Sequence, residues 1–221
     1  MAKKRWSELH DQSRRHLAAG EVGLAAHVLV EAINLAPDEP SLYVDLVKIA
    51  LLAGSTKDAL NAAFELRRIE PYNPQHVYLH AMASMAAGDL AAAKRILEEA
   101  LEKVPGSWEV RQALAQVAAL THEPERAEAL LREAVDLSPT EPGPANDLAL
   151  IHLGRREFAQ ARVVLGKAAA AHPEHLGTQL NLALACAQAE DKEAAKRHAE
   201  AARKSDEPSV REQAERLLKR L

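Results

Sequence analysis

Between Ser41 and Ala53 the apolar residues Leu42, Leu46, Ile49, Ala50 and Ala53 recur three and four places apart, with Asp45 and Lys48 among them. That period puts one apolar stripe along a helix. Ala59, Ala63, Leu66 and Ile69 repeat it from Thr56 to Ile69, so a second helix is predicted there. Gly54 separates the two, because glycine enters the left-handed conformation that ends a helix at little cost. Pro71 closes the second helix, since proline disfavours helical geometry in the residue before it. The unit is helix, tight turn, helix.

The unit repeats. Pro37, Pro71, Pro105, Pro139 and Pro173 stand 34 residues apart. On that ladder Ala25, Ala59, Ala93, Ala127, Ala161 and Ala195 form one column, alanine in every row. Ala32, Leu66, Ala100, Ala134, Ala168 and Ala202 form a second, and Ser13, Val47, Ala81, Ala115, Ala149 and Ala183 a third. Antiparallel helices approach closely only where the crossing residues are small, so the alanine columns are expected at the crossings. Leu46, Leu114, Leu148 and Leu182 would fill the wider gaps beside them. Gly20 and Gly88 share the turn place of Gly54, and the fourth unit has THEPE there instead. The chain therefore divides into a basic tail at 1–5, six units starting at 6, 40, 74, 108, 142 and 176, and a last helix over 208–221. In that helix Val210, Ala214, Leu217, Leu218 and Leu221 share a face, as a cap on an open-ended stack requires.

This pattern resembles the tetratricopeptide repeat (TPR) family over residues 6–209. The resemblance departs at the early aromatic, present only as Tyr43, and at a glycine that is mostly alanine here. It implies an all-α, right-handed superhelical solenoid of six helix-turn-helix units with a C-terminal capping helix. It also implies that the first helices line a concave groove suited to a peptide segment or helix of another protein.

The groove positions can be carried over residue by residue. One row is His10, Val44, Tyr78, Gln112, Asn146 and Leu180, and its neighbour is Asp11, Asp45, Leu79, Ala113, Asp147 and Asn181. A turn further on come Arg14, Lys48, Met82, Gln116, Leu150 and Leu184. The lysine-with-asparagine pair by which chaperone-binding relatives grip a terminal carboxylate is missing from every unit. Asn146 and Asn181 carry both donor and acceptor, so they suit the backbone of an extended peptide. Tyr78, Met82, Leu150 and Leu184 supply an apolar floor, and methionine adapts to varied apolar partners. Asp45 and Lys48 would set orientation, although three residues apart on one helix they can also neutralise each other. Met85 and Leu153 are expected to pack between units.

Chemistry is thinly supplied. His76 and His80 have a zinc-compatible spacing, but no third ligand accompanies them, and His80 is expected to be a partly buried, hydrogen-bonded histidine. His172 and His175 bracket a turn and are read the same way. The lone Cys186 falls in a small-residue column and is expected to be buried and inert. No phosphate loop, dinucleotide fingerprint or nucleophile elbow occurs, so neither catalysis nor a cofactor nor a small-molecule substrate is expected. A net charge of −4 and 3% aromatic residues argue against nucleic acid, and the basic ends read as solvated. No apolar run follows the basic start and none reaches the length of a membrane span, so a cytoplasmic protein is expected unless a signal or lipid anchor has been removed.

Overall fold

Pro40, Pro74 and Pro142 each open a helix in the computed structural model, which describes residues 2–221, with side chains from Arg5 onward. Proline suits the first helical turn, where its missing N–H would have had no partner. Thirteen α-helices and no strand are found among the described residues. They are α1 (Ala2–Ala18), α2 (Val22–Leu35), α3 (Pro40–Leu52), α4 (Thr56–Ile69), α5 (Pro74–Ala86), α6 (Leu90–Lys103) and α7 (Trp108–Leu120). The series continues with α8 (Pro124–Leu137), α9 (Pro142–Gly154), α10 (Phe158–Ala171), α11 (Leu176–Gln188), α12 (Lys192–Ala202) and α13 (Pro208–Leu218). Because α1 starts at Ala2, the basic stretch expected as a tail is helical where it is described. The side chains of Lys3 and Lys4, and Met1 altogether, lie outside the described residues.

One turn geometry recurs. Gly20, Gly54 and Gly88 have φ of 77°, 72° and 80°, and His122, Arg156 and Glu190 hold the same turn place at 62°, 62° and 61°. The left-handed residue lets the chain reverse and feeds its N–H back to the helix it ends. Gly54 N–H donates to Leu51 O and Ser55 N–H to Ala50 O, and Arg156 to Leu153 O and Glu157 to His152 O repeat the pair. The conformation thus belongs to the unit, and three units keep it without glycine.

The joints between units are tied as well. Tyr43 Oη donates to Pro37 O at 2.9 Å, Gln179 Nε2 to Pro173 O at 3.4 Å and Arg211 Nη1 to Ser205 O at 3.0 Å. Arg111 Nη1 donates likewise to Pro105 O. Each donor sits at the fourth place of its helix and reaches a carbonyl six residues back, satisfying an acceptor left over at the bend.

The helices form two compact units, one ending at His122 and the other running from Glu123 to Leu221. In the first, Ala25, Ala59 and Ala93 are completely buried, with Ala32, Leu66 and Ala100 beside them. In the second, Ala161, Ala168, Ala195 and Ala202 are completely buried too. The alanine columns are where the helices press together. The cap packs as expected: Val210 and Ala214 of α13 bury against Leu180 and Ala202, with Leu176 and Leu184 alongside.

Candidate functional site

Within each unit the first helices lie side by side, α3 against α5, α5 against α7, α9 against α11 and α11 against α13. The second helices stand further apart, and open clefts separate α2 from α4, α4 from α6 and α8 from α10. Each unit therefore curves with its first helices inside.

On the inner face of the first unit Asp45 is the organising charge. Arg14 Nε donates to Asp45 Oδ2 at 2.9 Å, and the His10 ring meets the same oxygen at 2.7 Å. Burial alone would push the Asp45 carboxyl up, but the hydrogen bonds from Arg14 and His10 together outweigh it and hold its pKa below the usual carboxylate value. Asp45 therefore pairs with α1 of the preceding repeat, and its neutralisation by Lys48 on its own helix is corrected. Lys48 is exposed. The neighbouring helix α1 brings both Arg14 and His10 onto Asp45, which satisfies its charge without Lys48. Tyr78 and Met82 are half-buried on α5.

On the inner face of the second unit the two asparagines meet. Asn181 Nδ2 donates to Asn146 Oδ1 at 3.0 Å, and Asn146 Nδ2 donates to Thr178 Oγ1 at 2.9 Å. Thr178 Oγ1 lies 2.7 Å from His175 Nδ1, which also accepts the Thr178 N–H and caps α11. A primary amide can make four hydrogen bonds. Asn181 therefore retains its carbonyl oxygen and one N–H, and Asn146 one N–H and the second acceptor site of its oxygen. Leu150, one turn beyond Asn146, is 54% exposed. Leu184 packs in part against the cluster under the cap, because α13 covers the end of α11, and the rest of its side chain lines an open pocket. Leu153 likewise packs against the core of this unit.

Thr178 was missed by the sequence reading. Its signal was available: three residues before Asn181 on one helix, it must share that residue's face.

Elsewhere the chemistry is sparse. His76 and His80 both bury an Nδ1 that has no hydrogen-bond partner, so the expectation of a hydrogen-bonded His80 is corrected. Glu70 Oε2 lies 3.5 Å from His76 Nδ1, an ion-pair contact but too long for a good hydrogen bond. No group of three or more His, Cys, Asp or Glu residues able to hold a metal occurs among the described residues. Cys186 is buried in the second unit's core, and burial raises its thiol pKa, the reverse of what a reactive thiolate needs. Among the described residues no helix is long and apolar enough to cross a membrane.

Two family models, both described as tetratricopeptide repeat, match residues 10–74 and 84–150. No curated protein matches significantly. Among solved structures, a thermophilic TPR protein of Thermus thermophilus matches with TM-score 0.67 and 22% identity, over 82% of this chain and 99% of its own. PilF of Pseudomonas aeruginosa matches with TM-score 0.63 and 16% identity, over 97% of this chain and 98% of its own. Yeast Tom70 matches with TM-score 0.76 and 18% identity, over 89% of this chain but 42% of its own. At these identities the likeness is one of fold.

Proposed function

The chain belongs to the tetratricopeptide repeat family, in general a non-catalytic protein-interaction module, and we propose that it is a cytoplasmic scaffold that holds a peptide segment or helix of another protein against its inner faces. The observation that carries this reading is the Asn146–Asn181 pair. Two carboxamides from successive first helices are locked by one hydrogen bond and still offer a carbonyl and two N–H groups. An extended peptide backbone presents the complementary donors and acceptors along its length, so a preorganised pair can hold it without reading its sequence. Exposed Leu150 gives an adjacent side chain an apolar seat. In the first unit Tyr78 and Met82 supply an apolar surface, and exposed Lys48 a charge to orient the segment.

Capture from native lysate, read by mass spectrometry, tests this against a variant in which Tyr78, Asn146 and Asn181 are all alanine. Proteins retained by the native chain and lost by a folded variant support the inner face. Equal recovery by both removes it.

A second reading, a structural assembly role through the outer face, the ends or self-association, is favoured by apolar residues exposed on the second helices: Phe64 at 63% and Val163 at 65%. Its signature is a molecular size that rises with concentration together with normal behaviour of the triple variant.

A further inference from the structure

The outer clefts of the units share a plan, and one of them departs from it. Each has at its floor the seventh place of a first helix, filled by Leu46 between α2 and α4 and by Leu148 between α8 and α10. Between α4 and α6 the same place holds His80. Packing favours leucine at a site the fold otherwise fills with leucine, and the histidine there leaves its buried Nδ1 without a partner. An unpartnered buried polar atom of this kind is a net cost to folding. Local rules are broken at a cost mainly where function requires it.

The surroundings of His80 say what it would meet. Leu60, Phe64 and Ile96 give this cleft apolar walls, and Arg67, Arg68 and Arg95 give it a basic rim. Its one carboxylate, Asp89, is occupied in capping α6 by accepting the Ala92 N–H at 2.8 Å. Arg68 is held by Glu65 at 2.7 Å and Asp38 at 3.0 Å, and Arg67 is held loosely by Glu99 at 3.4 Å. Arg95 is exposed and has neither ion pair nor hydrogen bond among the described residues, although its charge reaches His80. The cleft between α2 and α4 has the opposite bias, with Asp58 and Glu65 and no basic side chain except His27.

We infer that the cleft between α4 and α6 is a second interaction site, taking an acidic segment of a partner protein that presents an apolar side chain next to a carboxylate. The apolar side chain packs on Leu60, Phe64 and Ile96. The carboxylate takes charge-assisted hydrogen bonds from Arg95 and Arg67, and the accessible nitrogen of the neutral His80 ring donates to it. Phe64 is a large aromatic exposed at the rim, the kind of residue that becomes an anchor once covered. This site is on the opposite side of its helices from the inner face and stands if the inner-face reading fails.

The test uses the full chain with its histidines isotopically labelled for NMR, the His80 signal being identified by its loss in His80→Leu. The probes are the peptide acetyl-Asp-Phe-Glu-Leu-Asp-amide and its neutral counterpart acetyl-Asn-Phe-Gln-Leu-Asn-amide. The acidic peptide should move the His80 signal saturably and the neutral one should not. Arg95→Glu, at an exposed position that leaves the fold intact by circular dichroism, should weaken the acidic peptide about tenfold or more. The Tyr78, Asn146, Asn181 triple-alanine variant should bind it as the native chain does. A Kd weaker than about 1 mM, an equal response to both peptides, or loss of binding in the triple variant would each overturn the proposal.

Discussion

His80 is where a single residue weighs most on the molecule. Burial first, and then the charges of Arg67 and Arg95, lower its pKa from 6.5 to about 4. The unfolded chain therefore binds a proton below pH 6.5 that the folded chain refuses until about pH 4. Stability from this group is full above pH 6.5 and is lost as pH falls through that window toward 4. His76, lowered by burial against the opposing Glu70, and His198, lowered by burial and by Arg197 and Arg162, act in the same sense. Urea denaturation should show the native chain losing about 2 kcal/mol between pH 7 and pH 5 through His80 alone. His80→Leu should flatten the curve by that amount. An unchanged slope would mean that His80 titrates normally in the folded state. At Asn146 the expected loss is smaller: Asn146→Ala breaks two half-exposed hydrogen bonds, so stability should fall by about 1 kcal/mol in the same assay.

At the scale of the element, the turn and the joint carry the repeat. His122, Arg156 and Glu190 adopt a left-handed conformation that costs a side-chain-bearing residue about 1–2 kcal/mol. Glycine removes that strain but adds entropy to the unfolded chain, so Arg156→Gly or Glu190→Gly should stabilise by a net of up to about 1 kcal/mol. Gly54→Ala should destabilise by a similar amount, since its Cβ meets nothing within 4 Å and only the backbone objects. Thermal melting of the four proteins tests the pair of signs together. At the joint, Tyr43→Phe deletes the bond to Pro37 O and leaves that acceptor unpaired, a loss of about 1 kcal/mol.

Much of this scale is legible in the sequence. The period of 34, read from prolines and alanines, places helix starts at Pro40, Pro74, Trp108, Pro142 and Leu176, where the structure has them. The turn is legible in the units with Gly20, Gly54 and Gly88, and in the others only by register. The joint bonds were not legible, because Tyr43, Gln179 and Arg111 have nothing in common but a long side chain able to donate.

For the whole molecule, stability comes from neighbour burying neighbour, so the last helix matters out of proportion to its length. Removing residues 208–221 would expose Leu180, Ala202 and Leu184 at the end of the second unit. The truncated chain should melt lower and bind a hydrophobic dye that the full chain does not. An unchanged melting temperature and no dye binding would show that α13 is not a cap.

The sequence by itself determined the helices, their turns and which residues cross, because these follow from short-range rules repeated in register: apolar spacing, proline and glycine chemistry, and alanine at close approaches. Only the tertiary structure decided who holds whom. Asp45 takes Arg14, 31 residues away, over Lys48 on its own helix; Asn146 takes Asn181, 35 residues away; and His80 takes no one at its buried nitrogen. The physical reason is directional. Helical periodicity fixes the face a side chain is on, but a hydrogen bond is made or missed within a few tenths of an ångström, and that depends on how one helix is set against the next.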